Sequence, residues 1–239
     1  MSREFKVKRK YYDNECRQLY KHNSFTINPG ITVLIGCNGS GKTTLQSAIY
    51  DDLRSNNIPA MQYDNLSKGG SNSLSELMWK ADYEAVAQMW CDSEGEAITD
   101  NLLRYAKKFA FFLQHGYEEL SDFAKIFRDE PEDSKSNERW ILFDAIDSGL
   151  SIDQVRDVKQ YFFSKIIEFA KDNELYIIVT ANEYEMCRNS NCFSVFEGKY
   201  INLNSYDDYA DAILKSRDYK EKMLKKYAES LAKKRSEDE

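Results

Sequence analysis

The run Gly36-Cys37-Asn38-Gly39-Ser40-Gly41-Lys42-Thr43-Thr44 constrains this chain more than any other stretch. It satisfies the spacing Gly-x-x-x-x-Gly-Lys-(Ser/Thr) of a P-loop, follows the apolar run Ile31-Thr32-Val33-Leu34-Ile35, and opens a helix expected from about Thr43-Thr44-Leu45. Glycine is needed there because backbone amides must turn inward around a polyphosphate with no Cβ in the way, and the helix N-terminus adds favourable dipole charge. Asn38, Gly39, Ser40, Gly41, Lys42, Thr43 and Thr44 are therefore the expected phosphate-binding residues. In this pattern Lys42 reaches the β and γ phosphates, and the Thr43 hydroxyl ligates Mg²⁺.

Two more apolar runs, Trp140-Ile141-Leu142-Phe143 and Leu175-Tyr176-Ile177-Ile178-Val179-Thr180, read as strands buried on both faces. They predict an α/β fold with a mostly parallel central sheet. Phe25 to Gly30 reads as a turn feeding the first buried strand, since Pro29-Gly30 is a breaker. Between the first and second runs, Ile98, Leu102, Tyr105, Phe109 and Phe112 recur at spacings of four and three, which predicts an inserted helical lobe. Residues 128–138 are polar, contain Pro131 and lack periodicity, so they are expected as an exposed loop, and Phe193 to Leu203 as a hairpin around Gly198. The expected organisation is a nucleotide-binding α/β core over 1–63 and 139–204, a helical lobe over 64–138, and a charged helical tail over 205–239.

Composition removes several function classes. With 33 Lys and Arg against 40 Asp and Glu, the net charge of −7 gives no global attraction to nucleic acid, although Lys215 to Arg235 is locally basic. Five scattered cysteines without a Cys-x-x-Cys pair argue against a zinc knuckle or a disulfide framework. No apolar run approaches the length of a membrane span, and Met1 to Lys8 has basic residues without an apolar stretch behind them. A cytoplasmic protein without membrane association is expected.

Asp144 ends the run Trp140 to Phe143, where a P-loop enzyme holds Mg²⁺ through water. Together, Asn38 to Leu45 and Phe143-Asp144-Ala145-Ile146-Asp147-Ser148-Gly149-Leu150-Ser151 resemble the ATP-binding-cassette (ABC) ATPases. Within them the similarity is greatest to the soluble branch of chromosome-maintenance and recombination-repair heads and to small phage or bacterial AAA-type ATP-binding proteins. That resemblance implies ATP and Mg²⁺ as ligands and a head-to-tail homodimer with two composite sites. It also implies a Ser-x-Gly-(Gln/Glu) signature touching the γ-phosphate held by the other copy. Ser93-Glu94-Gly95-Glu96, directly before the periodic helix, fits best, with Ser93 and Gly95 as the contacts; Leu66-Ser67-Lys68-Gly69-Gly70 is a second spelling of it. Ser148 to Ser151, and Asp147 with them, would lie at the dimer interface.

The sequence also departs from that family. The water-polarising Glu expected after the Mg²⁺ aspartate is Ala145, which cannot accept a proton, so Asp147 is the candidate replacement or hydrolysis is slow. The His expected after the third strand is replaced by Ala181-Asn182, leaving Asn182 as a hydrogen-bond donor to the γ-phosphate. Tyr20 and Tyr12 are candidates for stacking on adenine, and Gln62 and Gln88 for the glutamine loop. The expected function is an ATP hydrolase whose dimerisation acts on DNA or on a protein effector such as a nuclease. The alternatives are a non-hydrolysing ATP-dependent switch and a transporter ATPase subunit.

Overall fold

The computed structural model of the chain describes residues 2–7, 18–68, 77–78, 82, 84, 86–87 and 91–237. Six strands form one sheet in the order β4 (Ala60–Asp64), β5 (Glu138–Asp144), β6 (Glu174–Thr180), β3 (Gly30–Ile35), β7 (Asn191–Ser194) and β8 (Lys199–Ile201). All neighbours are parallel except β7 and β8, which pair as an antiparallel hairpin. The expected α/β fold with a mostly parallel sheet is thus the observed one. β6 lies between β3 and β5, so the carboxyl ends of all three reach the same edge of the sheet. Crevices for ligands form at such edges in open α/β sheets.

Strand alternation divides the core into two layers. Val33, Ile35, Met61, Tyr63, Ile141, Phe143, Ile177 and Val179 face one side. Leu34, Ala60, Trp140, Leu142, Tyr176 and Ile178 face the other, where α1 (Lys42–Ser55) buries Leu45, Ile49 and Leu53. A small antiparallel sheet of β1 (Arg3–Lys6) and β2 (Ser24–Ile27) also covers this second face through Phe5, Phe25 and Ile27. The expectation of a turn over residues 25–30 is corrected here. Ser24 to Ile27 alternate between exposed and buried positions as a half-covered strand does, and the turn is confined to Asn28, Pro29 and Gly30, with Gly30 at φ +92°.

After the short α2 (Asn65–Lys68), the long helix α3 (Glu94–His115) lies directly on the first face. Its stripe, Ile98, Leu102, Tyr105, Phe109 and Phe112, is buried as the spacing predicts. Phe109 meets Phe143 and Phe162 edge-on at 5.3 and 5.9 Å, and Tyr105 meets Tyr63 at 5.0 Å. α3 is capped at both ends: Ser93 and Glu96 form a reciprocal capping box, and Gly116 is left-handed. The helix α4 (Asp122–Phe127) precedes an irregular stretch over the residues expected as a loop.

Beside α3 runs α5 (Ile152–Asp157), which passes through a π-turn (Val158–Phe162) into α6 (Phe163–Ala170). The short α7 (Tyr184–Cys187) follows β6, and α8 (Tyr206–Glu237) follows β8. α8 is not a free tail at its start, because Tyr209 and Ser216 are buried against the sheet end.

The aromatic cluster makes a specific energetic prediction. Phe109 is fully buried between helix and sheet, so Phe109→Ala should lower unfolding free energy by about 3–5 kcal/mol, read from the urea midpoint.

Candidate functional site

The bend after β3 has the geometry its glycines permit. Gly39 and Gly41 are left-handed, at φ +71° and +97°, and α1 starts at Lys42 with Gly41 as its N-cap. A Cβ at Gly41 would sit 2.9 Å from the Tyr20 hydroxyl and 3.1 Å from Leu19 Cδ1, so glycine is required there by space as well as by φ. Tyr20 itself is buried; its hydroxyl donates to the Gly41 carbonyl at 2.8 Å and its ring packs edge-on against Phe25. It supports the bend from below and presents no open face to a base, which corrects its reading as an adenine-stacking residue. Tyr12 and Gln88 lie outside the described residues.

In front of the bend is a cavity of about 470 Å³. Asn38, Gly39, Gly41, Lys42, Thr43, Thr44, Asp144 and Asn182 line it, together with Cys37, Leu19, Leu66, Ala145 and Thr180. Ser40 is buried behind it. Lys42 Nζ donates to the Gly36 carbonyl at 2.7 Å. Burial pushes its ammonium below the usual lysine range, while the carboxylates of Asp147 and Asp144 act in the opposite sense.

The three central strand ends meet beside Thr43. Its Oγ1 donates to Asp144 Oδ1 at 3.3 Å, and Thr180, at the end of β6, also donates to Asp144 Oδ1. Thr180 Oγ1 accepts the Ala145 amide at 2.8 Å. Thr180 was not among the expected site residues, although a hydroxyl closing an apolar strand is the same signal that singled out Asp144. Asn65, just past β4, is another omission: its Nδ2 donates to the carbonyls of Ala145 and Ser148 at 3.2 and 2.9 Å. Nothing in the local sequence marks it. Gln62 lies within β4 and is absent from the cavity lining.

Among the described residues no cluster of three or more His, Cys, Asp or Glu could hold a metal alone. Thr43 and Asp144 supply two oxygen donors of the hard type that Mg²⁺ takes, and its usual shell would be completed by phosphate oxygens and water.

Asp147 is placed differently from its expected roles. It is 2% exposed, so it does not lie on a surface that a second copy could touch. Its Oδ2 accepts the amides of Asn182 and Glu183 at 2.7 and 2.8 Å, while its buried Oδ1 has no hydrogen-bond partner among the described residues. It does not line the cavity, and its Oδ2 is held by two backbone amides. Its reach inward follows from Ala145, which sits at φ +50° and turns the chain sharply after Asp144.

Ser93 and Gly95 are brought together with the segment after that turn, and not with this chain's own bend. A Cβ on Gly95 would lie 2.2 Å from Gln154 Oε1, and one on Gly149 2.9 Å from Ile98 Cδ1. Gln154 in turn accepts the Ser151 amide at 3.0 Å. The alternative signature Leu66 to Gly70 begins beside the cavity, with Gly69 and Gly70 outside the described residues.

Burial pushes the Asp147 carboxyl above the usual carboxylate range, against the two amide hydrogen bonds. A raised folded value means the native state binds the proton more readily, so this group's contribution to stability falls as pH rises from the free-carboxyl range through the folded value. Asp147→Asn should therefore gain on wild type over that window in urea unfolding. Asp147→Ala, which strands two amides, should lose about 2–4 kcal/mol below that window and less as pH rises through it.

No protein-family model matches the chain, and no curated protein matches it. Among solved structures, a nucleotide-free ATP-binding cassette from an ABC transporter is similar at 16% identity and a TM-score of 0.43, over 90% of this chain and 96% of that one. The ADP conformation of an ATP-binding cassette of an ABC transporter is similar at 16% identity and a TM-score of 0.39, over 88% and 93%. A likeness this low leaves the functional reading to the residues themselves. Among the described residues, no helix is long and apolar enough to cross a membrane.

Proposed function

We propose that the chain is an ATP-binding protein of the ABC type that holds MgATP in the cavity before α1 and closes around it as a head-to-tail homodimer. The observation that carries this reading is the convergence of a left-handed glycine bend, Lys42, Thr43 and Asp144 on one cavity. The glycine bend and the helix N-terminus suit a triphosphate, and Lys42 supplies a cation beside them. Thr43 and Asp144 would hold Mg²⁺, which when bound offsets charge on the β and γ phosphates. Asn182 at the cavity lip would donate to the terminal phosphate.

Ser93 and Gly95 would serve the site of the other copy. They sit at the start of α3 beside Ser148 to Ser151, away from their own cavity, as an element acting in trans requires. The resemblance of Asn38 to Leu45 and of Phe143 to Ser151 to the soluble cassette branch favours DNA or a protein effector such as a nuclease over a permease as the target of closure.

A second reading, a binding switch with negligible turnover, is favoured by one specific observation. Asp144 is the single carboxylate lining the cavity among the described residues, and it is committed to Thr43 and Thr180. A general base must lie within hydrogen-bond reach of the attacking water, and position 145 supplies none.

Lys42→Ala should weaken MgATP binding by about tenfold to a hundredfold, the value of a charge-assisted contact, in titration calorimetry; unchanged affinity refutes the reading. Light scattering should give twice the 27.9 kDa mass with MgATP and a Ser93→Arg variant that binds nucleotide but stays monomeric. A wild type that remains monomeric when saturated excludes the head-to-tail dimer. Ala145→Glu should raise single-turnover hydrolysis about tenfold or more if the absent carboxylate limits the rate.

A further inference from the structure

The C-terminal helix reaches the phosphate bend through directed hydrogen bonds. Ser216, 1% exposed, accepts the Cys37 amide at Oγ over 3.1 Å. One turn on, Lys220 Nζ donates to the Asn38 carbonyl at 2.8 Å. A third line is indirect: Gln18 Nε2 donates both to the Tyr219 hydroxyl and to the Tyr20 carbonyl, and the Tyr20 hydroxyl holds the Gly41 carbonyl. Tyr209, at the near end of the same helix, donates to the Asn182 carbonyl at 2.6 Å and so fastens the opposite lip.

Helix and bend pack closely around Ser216 and part towards Arg217 and Glu221. A cavity of about 490 Å³ lies between the bend and α8, lined by Asn38, Asn182, Arg217 and Glu221 among others. The helix therefore touches the bend at points and leaves space beside them. A Cβ on Gly36 would meet Ser40 Oγ at 2.4 Å and Ser216 Oγ at 3.2 Å, whereas one on Gly39 would stand in ordinary contact with Lys220 Nζ at 3.7 Å. Ser216 and Lys220, four residues apart, share one face of α8, so a single helix orientation satisfies both.

We propose that Ser216 and Lys220 are positioning residues of the nucleotide site, holding Cys37 and Asn38 in the phosphate-receiving shape before the ligand arrives. The proposal rests on the MgATP reading above. A bend with two left-handed residues loses conformational freedom when it orders, and a scaffold that orders it beforehand removes that cost from binding. α8 is then part of the site in cis, although it touches none of the reacting atoms.

The test uses the full chain with Ser216→Ala, Lys220→Ala, Lys220→Arg and, as a control on the exposed side of α8, Lys222→Ala. Three measurements are made: MgATP affinity by calorimetry, the thermal midpoint, and amide exchange of the 36–42 segment without nucleotide. Ser216→Ala and Lys220→Ala should each weaken MgATP about three- to tenfold and speed exchange in that segment, with strand amides unchanged. Lys220→Arg should recover most of the affinity, and Lys222→Ala should match wild type. Affinity within about twofold of wild type together with unchanged exchange overturns the proposal, as does an equal loss in Lys222→Ala, which would indicate general weakening of the helix. If wild type binds no MgATP, the functional reading fails, and exchange of the 36–42 segment alone decides whether α8 positions the bend.

Discussion

A short backbone segment could receive a polyphosphate, as proposed, only if it holds one shape, and contacts from several elements converge on this one. Gly39 and Gly41 supply the left-handed turns, but glycine alone makes a loop loose. Stiffness comes from around it: β3 and α1 fix the two ends, Tyr20 holds the Gly41 carbonyl from below, and Ser216 and Lys220 hold Cys37 and Asn38 from the side. The parallel sheet contributes the other half of the site. By inserting β6 between β3 and β5, it brings Thr180 to Asp144 and places both beside Thr43, which no local sequence could arrange.

The turn after Asp144 shows how a single small residue redistributes roles. Ala145 adopts a positive φ, costing roughly 1–2 kcal/mol for a residue with a Cβ, and is held there from both sides: its amide goes to Thr180 and its carbonyl accepts from Asn65. The chain consequently dives, and Asp147 arrives in the interior, where it ties the ends of β5 and β6 together through the amides of Asn182 and Glu183. A carboxylate that reads as catalytic from its place in the sequence thus stands as a buried clamp, and among the described residues Asp144 is the carboxylate that lines the cavity.

Legibility followed the type of signal. Fully apolar strands such as Trp140 to Phe143, the four-three stripe of α3 and the glycine bend are local patterns whose burial follows from period alone, and each stands where the sequence puts it. β2 was obscured because Pro29-Gly30 dominated its neighbourhood, although Ser24-Phe25-Thr26-Ile27 alternates as an edge-paired strand should. β4 carries Gln62 and Asp64 at partly covered positions, which breaks the continuous apolar run expected of a buried strand. Within the site, Lys42, Thr43 and Asp144 were legible from spacing, whereas Asn65, Ser216 and Lys220 act through contacts across 80 to 182 residues of sequence. Composition says nothing about such pairings.

The location of Ser93 and Gly95 bears most directly on assembly. Their capping box satisfies the amides of Ser93 and Glu96. A Cβ on Gly95 would displace the side-chain amide of Gln154, whose Oε1 caps α5. The start of α3, the Gly149 turn and the start of α5 therefore pack against one another at these glycines. A second copy presenting its cavity to that surface would meet a preformed edge, and ordering costs on closure would fall chiefly on the nucleotide. On the proposed reading, dimerisation would then depend on what fills the cavity.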